Sequence, residues 1–136
     1  MIPHVQNAIK TISNKILGGV LPQIGSSYVM SDTAMMSMLL QALADEAEFG
    51  VSKRLADIAT MEQILNHARE LGLSIQTVQG KLDSYELSKI NVHHDVLTSA
   101  LIELHEQTES KGDYAELNKS IWQYLVETHK RHALAI

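Results

Sequence analysis

The sequence predicts an all-α protein, an antiparallel bundle of four to five helices that forms one domain over residues 1–136. Apolar residues recur at steps of three and four along most of the chain, which is the period of an amphipathic helix. Both prolines, Pro3 and Pro22, lie outside the strongly periodic segments. At 136 residues and 45% hydrophobic composition, the chain is large enough to fold without disulfides or a structural metal.

Composition and charge exclude or disfavour several classes of function. The chain has no cysteine, which excludes a disulfide framework, a thiolate zinc site and a cysteine nucleophile. Its net charge of −5, with acidic and basic residues interspersed, disfavours nucleic acid as a partner. The N-terminal segment lacks the apolar stretch of a signal peptide, and no window contains 18 consecutive apolar residues, so we expect a cytoplasmic protein without a membrane span.

The first predicted helix lies between the two prolines. Gly18 and Gly19 weaken its end, and Pro22 prevents its continuation. The following segment predicts a loop, with Ser31 or Asp32 as the N-cap of the next helix. Between the two prolines, one helical face collects five aliphatic residues, Val5, Ile9, Ile12, Ile16 and Val20.

The second predicted helix, near residues 34–47, is unusually apolar. Only Ser37 and Gln41 interrupt the run from Ala34 to Ala44, so we expect this helix to be buried on nearly every side, in the bundle centre or at a subunit interface. A small bundle has difficulty covering so much apolar surface, which favours a homodimer, or a groove for a partner protein or an apolar ligand such as an acyl chain. The predicted interface residues are Met35, Met36, Met38, Leu39 and Leu40.

Gly50 is predicted to bend or end that helix, and a third helix is predicted from Val51 to about Leu71. Gly72 suits the C′ position of the third helix, where Leu73 adds a hydrophobic contact. Residues 74–82 predict a connector with at most one helical turn. The apolar stripe of the third helix is Leu55, Ile58, Met61, Leu65 and Ala68.

Two capping-box patterns predict where the last two helices begin. Each places an aspartate three residues before a glutamate, at Asp83–Glu86 and at Asp113–Glu116. The stripes that follow are Leu87, Ile90, Leu97, Leu101 and Leu104 in one helix, and Leu117, Ile121, Tyr124 and Leu125, flanked by Trp122, in the other.

His94 is the histidine of greatest chemical interest, because it occupies a core position of the fourth stripe. A buried imidazole needs a hydrogen-bond partner, and a core histidine bonded to a carbonyl or a carboxylate is the simpler interpretation. The alternative is a metal ligand or catalytic group. His129 and His132, near the C-terminus, are better explained as part of a solvated tail.

His67, the pair His94-Asp95 and Asp113 resemble the H…HD…D pattern of the HD-domain metal phosphohydrolases, which are also all-helical. In that family the His and Asp residues bind a divalent metal that activates a water. Asp113 comes only 18 residues after the pair, far earlier than in the family. This resemblance implies His67, His94 and Asp95 as metal-ligand candidates.

Glu46 completes the set of catalytic candidates, with His94 and Asp95. It shares a helical face with apolar neighbours, so its carboxylate should be partly buried and paired. Lys53 or Arg54 is the simpler partner, and His94 is the functional alternative. No histidine follows a glutamate at the Glu-x-x-His spacing of di-metal bundles, and no phosphate-binding glycine loop or Gly-x-Ser-x-Gly elbow occurs.

Residues 16–48 resemble the start of a small bacterial all-helical family of unknown function, often encoded beside acyl-CoA dehydrogenases and aminoglycoside-phosphotransferase-like kinases. Val20-Leu21-Pro22 before a loop, and a long Ala/Leu-rich helix ending in Glu46 and Glu48, carry the resemblance. It implies no catalytic residue. We therefore expect a non-catalytic interaction or accessory module that homodimerises and needs no cofactor, with an HD-like metal-dependent hydrolase and a carrier of apolar ligands as alternatives.

Overall fold

The computed structural model describes residues 2, 4–78 and 80–134, and that part of the chain is helical with no strand. This confirms the all-α prediction. The chain divides into two compact units, which we call the N-terminal unit (Met1–Gly50 with Leu134–Ile136) and the C-terminal unit (Val51–Ala133). Whether they unfold as one cooperative domain stays a prediction. The helices are α1 (Val5–Lys15), α2 (Ser27–Glu70), α3 (Leu87–Glu109) and α4 (Ala115–His132).

The first helix ends where its glycines predict. α1 stops at Lys15, a π-helical turn covers Ile16–Val20, and a 3₁₀ turn covers Leu21–Gln23. Gly18 and Gly19 lie inside the π-helical turn. Their low helix propensity explains why regular α-helix is not maintained there.

The next helix, α2, shows that two predictions are wrong. The second and third predicted helices are one 44-residue helix, α2, and Gly50 lies within it rather than at a bend. A glycine inside a helix costs about 1 kcal/mol relative to alanine, and helical residues on both sides outweigh that cost. The helix also begins at Ser27, so Ser31 and Asp32 are not N-caps; its first turn is closed by the Met30 amide, which donates to the Ser26 carbonyl.

In the N-terminal unit, α1 crosses the first half of α2 at two serines. Ser13 and Ser37 are fully buried, and their hydroxyl oxygens are 2.8 Å apart. The Ser37 hydroxyl donates to the Ser13 carbonyl at 2.9 Å, and the Ser13 hydroxyl lies 3.0 Å from the Ser37 carbonyl oxygen. Lys10 forms an ion pair with Asp45 at 3.3 Å, so the two segments run in opposite directions as a helical hairpin.

The hydrophobic core lies in the C-terminal unit, between the second half of α2, α3 and α4. The predicted stripes supply most of it. The buried members include Ile58, Met61, Leu65 and Ala68 from α2, Ile90, Leu97, Leu101 and Leu104 from α3, and Leu117, Ile121 and Tyr124 from α4. Leu125 and Trp122, which the pattern also assigned to the last helix, are exposed.

The end of α2 matches its prediction. Gly72 has a φ of +79°, the Leu73 amide donates to the Ala68 carbonyl at 3.0 Å, and the Gly72 amide donates to the Arg69 carbonyl at 2.9 Å. This pair of bonds is a Schellman motif with glycine at C′. Leu73 is buried and makes the expected hydrophobic contact with the core.

Both capping-box predictions are wrong. α3 begins at Leu87 after Glu86, and α4 begins at Ala115 after Tyr114, with no side-chain cap at either start. Before α3, the Ser84 hydroxyl accepts from the Glu86 amide, so this segment forms a turn ahead of the helix.

The order of the helices in the C-terminal unit is not antiparallel throughout. Thr108 bonds to Asn118 at 2.6 Å, as expected for antiparallel α3 and α4 joined by a short loop. Between α2 and α3, by contrast, residues further along one segment contact residues further along the other. His94 lies beside Asp57, Thr98 beside Met61, and Gln107 beside Ser74. α3 therefore runs in the direction of α2, because the long connector after Gly72 returns along the unit.

Candidate functional site

The most polar feature of the C-terminal unit is a buried carboxylate, Asp57 on α2, whose side chain is 0% exposed. Two residues of the last turn of α4 bind it. The Arg131 guanidinium donates to Oδ1, and the His132 Nε2 lies 2.5 Å from Oδ2. A buried carboxylate needs such partners, since an unpaired charge in the interior costs several kcal/mol.

Two further groups complete the surroundings of Asp57. Thr128 donates a hydrogen bond from α4. The His94 Nε2, on α3, lies 3.4 Å from the Asp57 Oδ2 without forming a hydrogen bond within the described chain. Burial on its own raises the pKa of Asp57, but the hydrogen bonds from His132, Thr128 and Arg131 outweigh it and hold that pKa below its usual value. Asp57 is therefore ionised, and its hydrogen bonds join α2 to α4.

Tyr124 on α4 responds to the same charge. Burial raises the pKa of its phenol, and the nearby Asp57 carboxylate raises it further. A neutral phenol beside an ionised carboxylate is the stable combination in this part of the core.

Asp57 was not among the predicted site residues, although the sequence contains a signal for it. Asp57 precedes Met61, Ile64 and Ala68 by helical steps, and all three are buried. An acidic residue on a core stripe should have hydrogen-bonding partners. His132, predicted as part of a solvated tail, is instead one of those partners, because the last turn of α4 is fixed to α2.

Within the C-terminal unit, the metal candidates His67, His94 and Asp95 do not form one site. Asp95 is 83% exposed, with an oxygen 3.8 Å from the His94 Nδ1. His67 is exposed and lines a polar groove with Gln63 and Glu127 that does not include His94. Glu46 is half-buried in the N-terminal unit, whereas the other three belong to the C-terminal unit. Among residues 2, 4–78 and 80–134, no three His, Asp or Glu side chains are placed to hold a metal ion.

The second feature is the apolar surface of the N-terminal unit. Of the predicted interface residues, Met35, Met36, Met38 and Leu39 are about half exposed, and Leu40 is half-buried. The first half of α2 is thus not buried on nearly every side within one chain. The same holds for Val5 and Ile12 of α1 and for Val20 of the π-helical turn, which are also about half exposed.

Residues of α2 together with Leu134 line a groove of about 490 Å³ within the N-terminal unit. Two alanines lie among larger methionine and leucine side chains in this lining. The lining residues are Ser31, Ala34, Met35, Met38, Leu39, Ala42 and Leu134. We use the term apolar hairpin for Val5–Gly50 with this groove and the exposed face of α1.

Charge is divided unevenly within the apolar hairpin. Residues 4–31 contain Lys10 and Lys15 and no acidic residue. Residues 32–50 contain no lysine or arginine, and their acidic residues are Asp32, Asp45, Glu46 and Glu48. One half of the hairpin is therefore basic and the other acidic.

No family model, curated protein or solved structure matches this chain. The resemblances to HD-domain phosphohydrolases and to the bacterial helical family stay predictions. Within the described residues, no helix is long and apolar enough to cross a membrane. Two features remain from which a function can be inferred. One is the apolar hairpin, and the other is the Asp57 cluster, which consists of Asp57 and its partners Arg131 and His132.

Proposed function

We propose that this protein is a non-catalytic interaction module that acts as a homodimer through its apolar hairpin. The observation that carries the proposal is the exposure of apolar side chains on both α1 and the first half of α2. Among the described residues of the N-terminal unit, Ala44 is the only buried hydrophobic side chain. A helical hairpin of this length does not bury enough apolar surface to be stable by itself.

The size of the exposed surface supports an obligate partner. About ten half-exposed apolar side chains, at on the order of 100 Å² each, give roughly 1,000 Å², and one partner in a stable interface contributes about 800 Å². Contiguous patches of this size on a monomer mark association sites. Covering the apolar hairpin would supply the hydrophobic core that the N-terminal unit lacks.

A second copy is the partner that this surface suits. Two identical antiparallel hairpins that pack face to face form a four-helix bundle, an arrangement in which every apolar face becomes interior. Twofold symmetry uses the same patch on both copies, and it is the most common symmetry of soluble oligomers. The cytoplasmic location that the sequence predicts is part of this proposal, and cell fractionation tests it.

The test compares two lysine substitutions by size-exclusion chromatography with light scattering. Met35 in the apolar hairpin and Ile102 in the C-terminal unit are almost equally exposed, at 58% and 56%. We expect wild type and Ile102→Lys to be dimeric at micromolar concentration, and Met35→Lys to have at least tenfold weaker self-association. A monomeric wild type, or a Met35→Lys variant that dimerises like Ile102→Lys, would contradict the proposal.

The groove on α2 favours one second candidate function, a carrier of an apolar ligand such as an acyl chain. Its volume of about 490 Å³ and its aliphatic and thioether lining suit a chain of that kind. Native mass spectrometry of the purified protein distinguishes the two functions. A stoichiometric lipid on a monomer supports the carrier, and a ligand-free dimer supports the interaction module.

A further inference from the structure

We infer that the dimer alternates its helices, so that α1 of each copy packs in the α2 groove of the other. This inference depends on the proposed function, because it names which parts of the apolar hairpin meet in the homodimer. The resulting bundle has the order α1, α2, partner α1, partner α2, and the two α1 helices lie on a diagonal.

The shapes of the two faces support this arrangement. The α1 face is a ridge of β-branched residues, with Val5 and Ile12 about half exposed. The α2 face lines a groove in which the small residues Ala34 and Ala42 lie among larger methionine and leucine side chains. A ridge of side chains packs best into a groove between larger neighbours. Groove against groove would leave voids, which lose packing contacts.

The charges of the apolar hairpin favour the same order. Within one copy, Lys10 already pairs with Asp45, so the basic and acidic helices are matched in the hairpin itself. Lys15 of α1 makes no ion pair among the described residues, and Glu48 of α2 also makes none. Placing α1 beside the partner's α2 brings these opposite charges into the same interface rim, whereas α1 beside α1 would bring lysines together.

Ile12 of α1 and Met35, Met38 and Leu39 of α2 are about half exposed, so these positions suit a cysteine scan. The natural chain has no cysteine, so each single variant contains one thiol. The axes of adjacent packed helices lie about 8–10 Å apart, so Cα atoms that face each other come within the roughly 7 Å that a disulfide can join. Cysteines on adjacent helices can therefore be bridged, and cysteines on diagonal helices cannot.

The experiment mixes Ile12→Cys with Met35→Cys, Met38→Cys or Leu39→Cys under mild oxidation. The three α2 positions sample the register along the groove. We expect at least one mixture to give a disulfide-linked heterodimer, and Ile12→Cys alone to give no linked homodimer. Because the two thiols are on different chains, a bond within one hairpin cannot produce the linked species. Circular dichroism verifies that each variant retains its helices.

The outcomes separate this inference from the proposed function. If light scattering shows a dimer but Ile12→Cys alone is linked efficiently, α1 faces α1 and the alternating order is wrong. A dimer in which no mixture is linked also overturns the inference. A monomeric wild type instead overturns the proposed function itself.

A charge exchange gives a second readout of the alternating order. Lys15→Glu and Glu48→Lys each place like charges at the proposed rim, so we expect each variant to self-associate several-fold more weakly at low salt. An equimolar mixture restores opposite charges on both sides of the dimer, and it should associate as wild type does. Failure of the mixture to recover affinity would contradict the inference.

Discussion

The imidazole Nε2 of His132, in the last turn of α4, lies 2.5 Å from Oδ2 of the fully buried Asp57 on α2. Arg131 binds the other carboxylate oxygen. These contacts connect residues 74 and 75 positions apart in sequence, and they fix the end of the chain's last helix. The cluster therefore explains why α4 remains helical to His132.

Replacing Asp57 with asparagine should destabilise the protein by about 3 kcal/mol, because Arg131 would lose the charge that compensates it and His132 would lose a charged hydrogen-bond partner. Both side chains are partly exposed and can turn towards water, which keeps the loss near the lower end for buried pairs. Urea unfolding measures the effect. Asp95→Asn is the matched control: Asp95 is 83% exposed, and we expect a change within about 0.5 kcal/mol. Equal losses of unfolding free energy in the two variants would show that the Asp57 carboxylate does not stabilise the fold in particular.

The stabilisation from Asp57 should depend on pH in the acid range. Hydrogen bonds hold the folded pKa of Asp57 below its ordinary value despite burial, so the folded state prefers the carboxylate. The contribution is then complete above the unfolded pKa of about 3.9 and decreases as the pH falls through the folded value. The difference in unfolding free energy between wild type and Asp57→Asn should be constant from pH 7 to 5 and shrink below about pH 4. A difference that grows on acidification would contradict this assignment.

Tyr124 should be the last tyrosine to ionise. Burial and then the Asp57 charge raise the pKa of its phenol, whereas Tyr28 and Tyr85 are largely exposed. The neutral phenol stabilises the fold below the unfolded pKa of about 10, and this contribution is lost as the pH rises through the folded value. Tyr124→Phe should remove the latest phenolate step in an ultraviolet titration of the folded protein. If Tyr124→Phe removes an early step, Tyr124 is not shielded as described.

The Ser13–Ser37 contact should control formation of the apolar hairpin. Ser13→Leu places a large side chain where none fits, so α1 must move away from α2 at a cost of about 1–3 kcal/mol. We expect lower helicity by circular dichroism and weaker dimerisation. Thr11→Leu adds similar apolar bulk at an exposed position of α1 and should change neither quantity. Ser13→Ala removes one hydroxyl and should cost about 1 kcal/mol. A folded, dimeric Ser13→Leu would rule out the close crossing.

Part of the site was accessible from sequence. The surplus of apolar residues at 35–40 predicts an association surface. Met35, Met36, Met38 and Leu39 are exposed in the folded chain, and their role as an interface stays a prediction. Asp57 was missed, because its partners Arg131 and His132 are distant in sequence and its spacing alone does not identify them. The stripe position of His94 predicts a core histidine beside a carbonyl or a carboxylate, and the Asp57 Oδ2 lies 3.4 Å from its Nε2.

The sequence by itself determined the helical class, the stripes of the C-terminal core and the end of α2 at Gly72. Each of these depends on local periodicity or on the backbone freedom of one residue, and both can be recognised from residues that are close together in the sequence. The tertiary structure decided the continuity of α2 through Gly50, the parallel course of α2 and α3, and the burial of Asp57. Those outcomes depend on contacts between distant segments, whose packing and charge compensation outweigh a local propensity of about 1 kcal/mol.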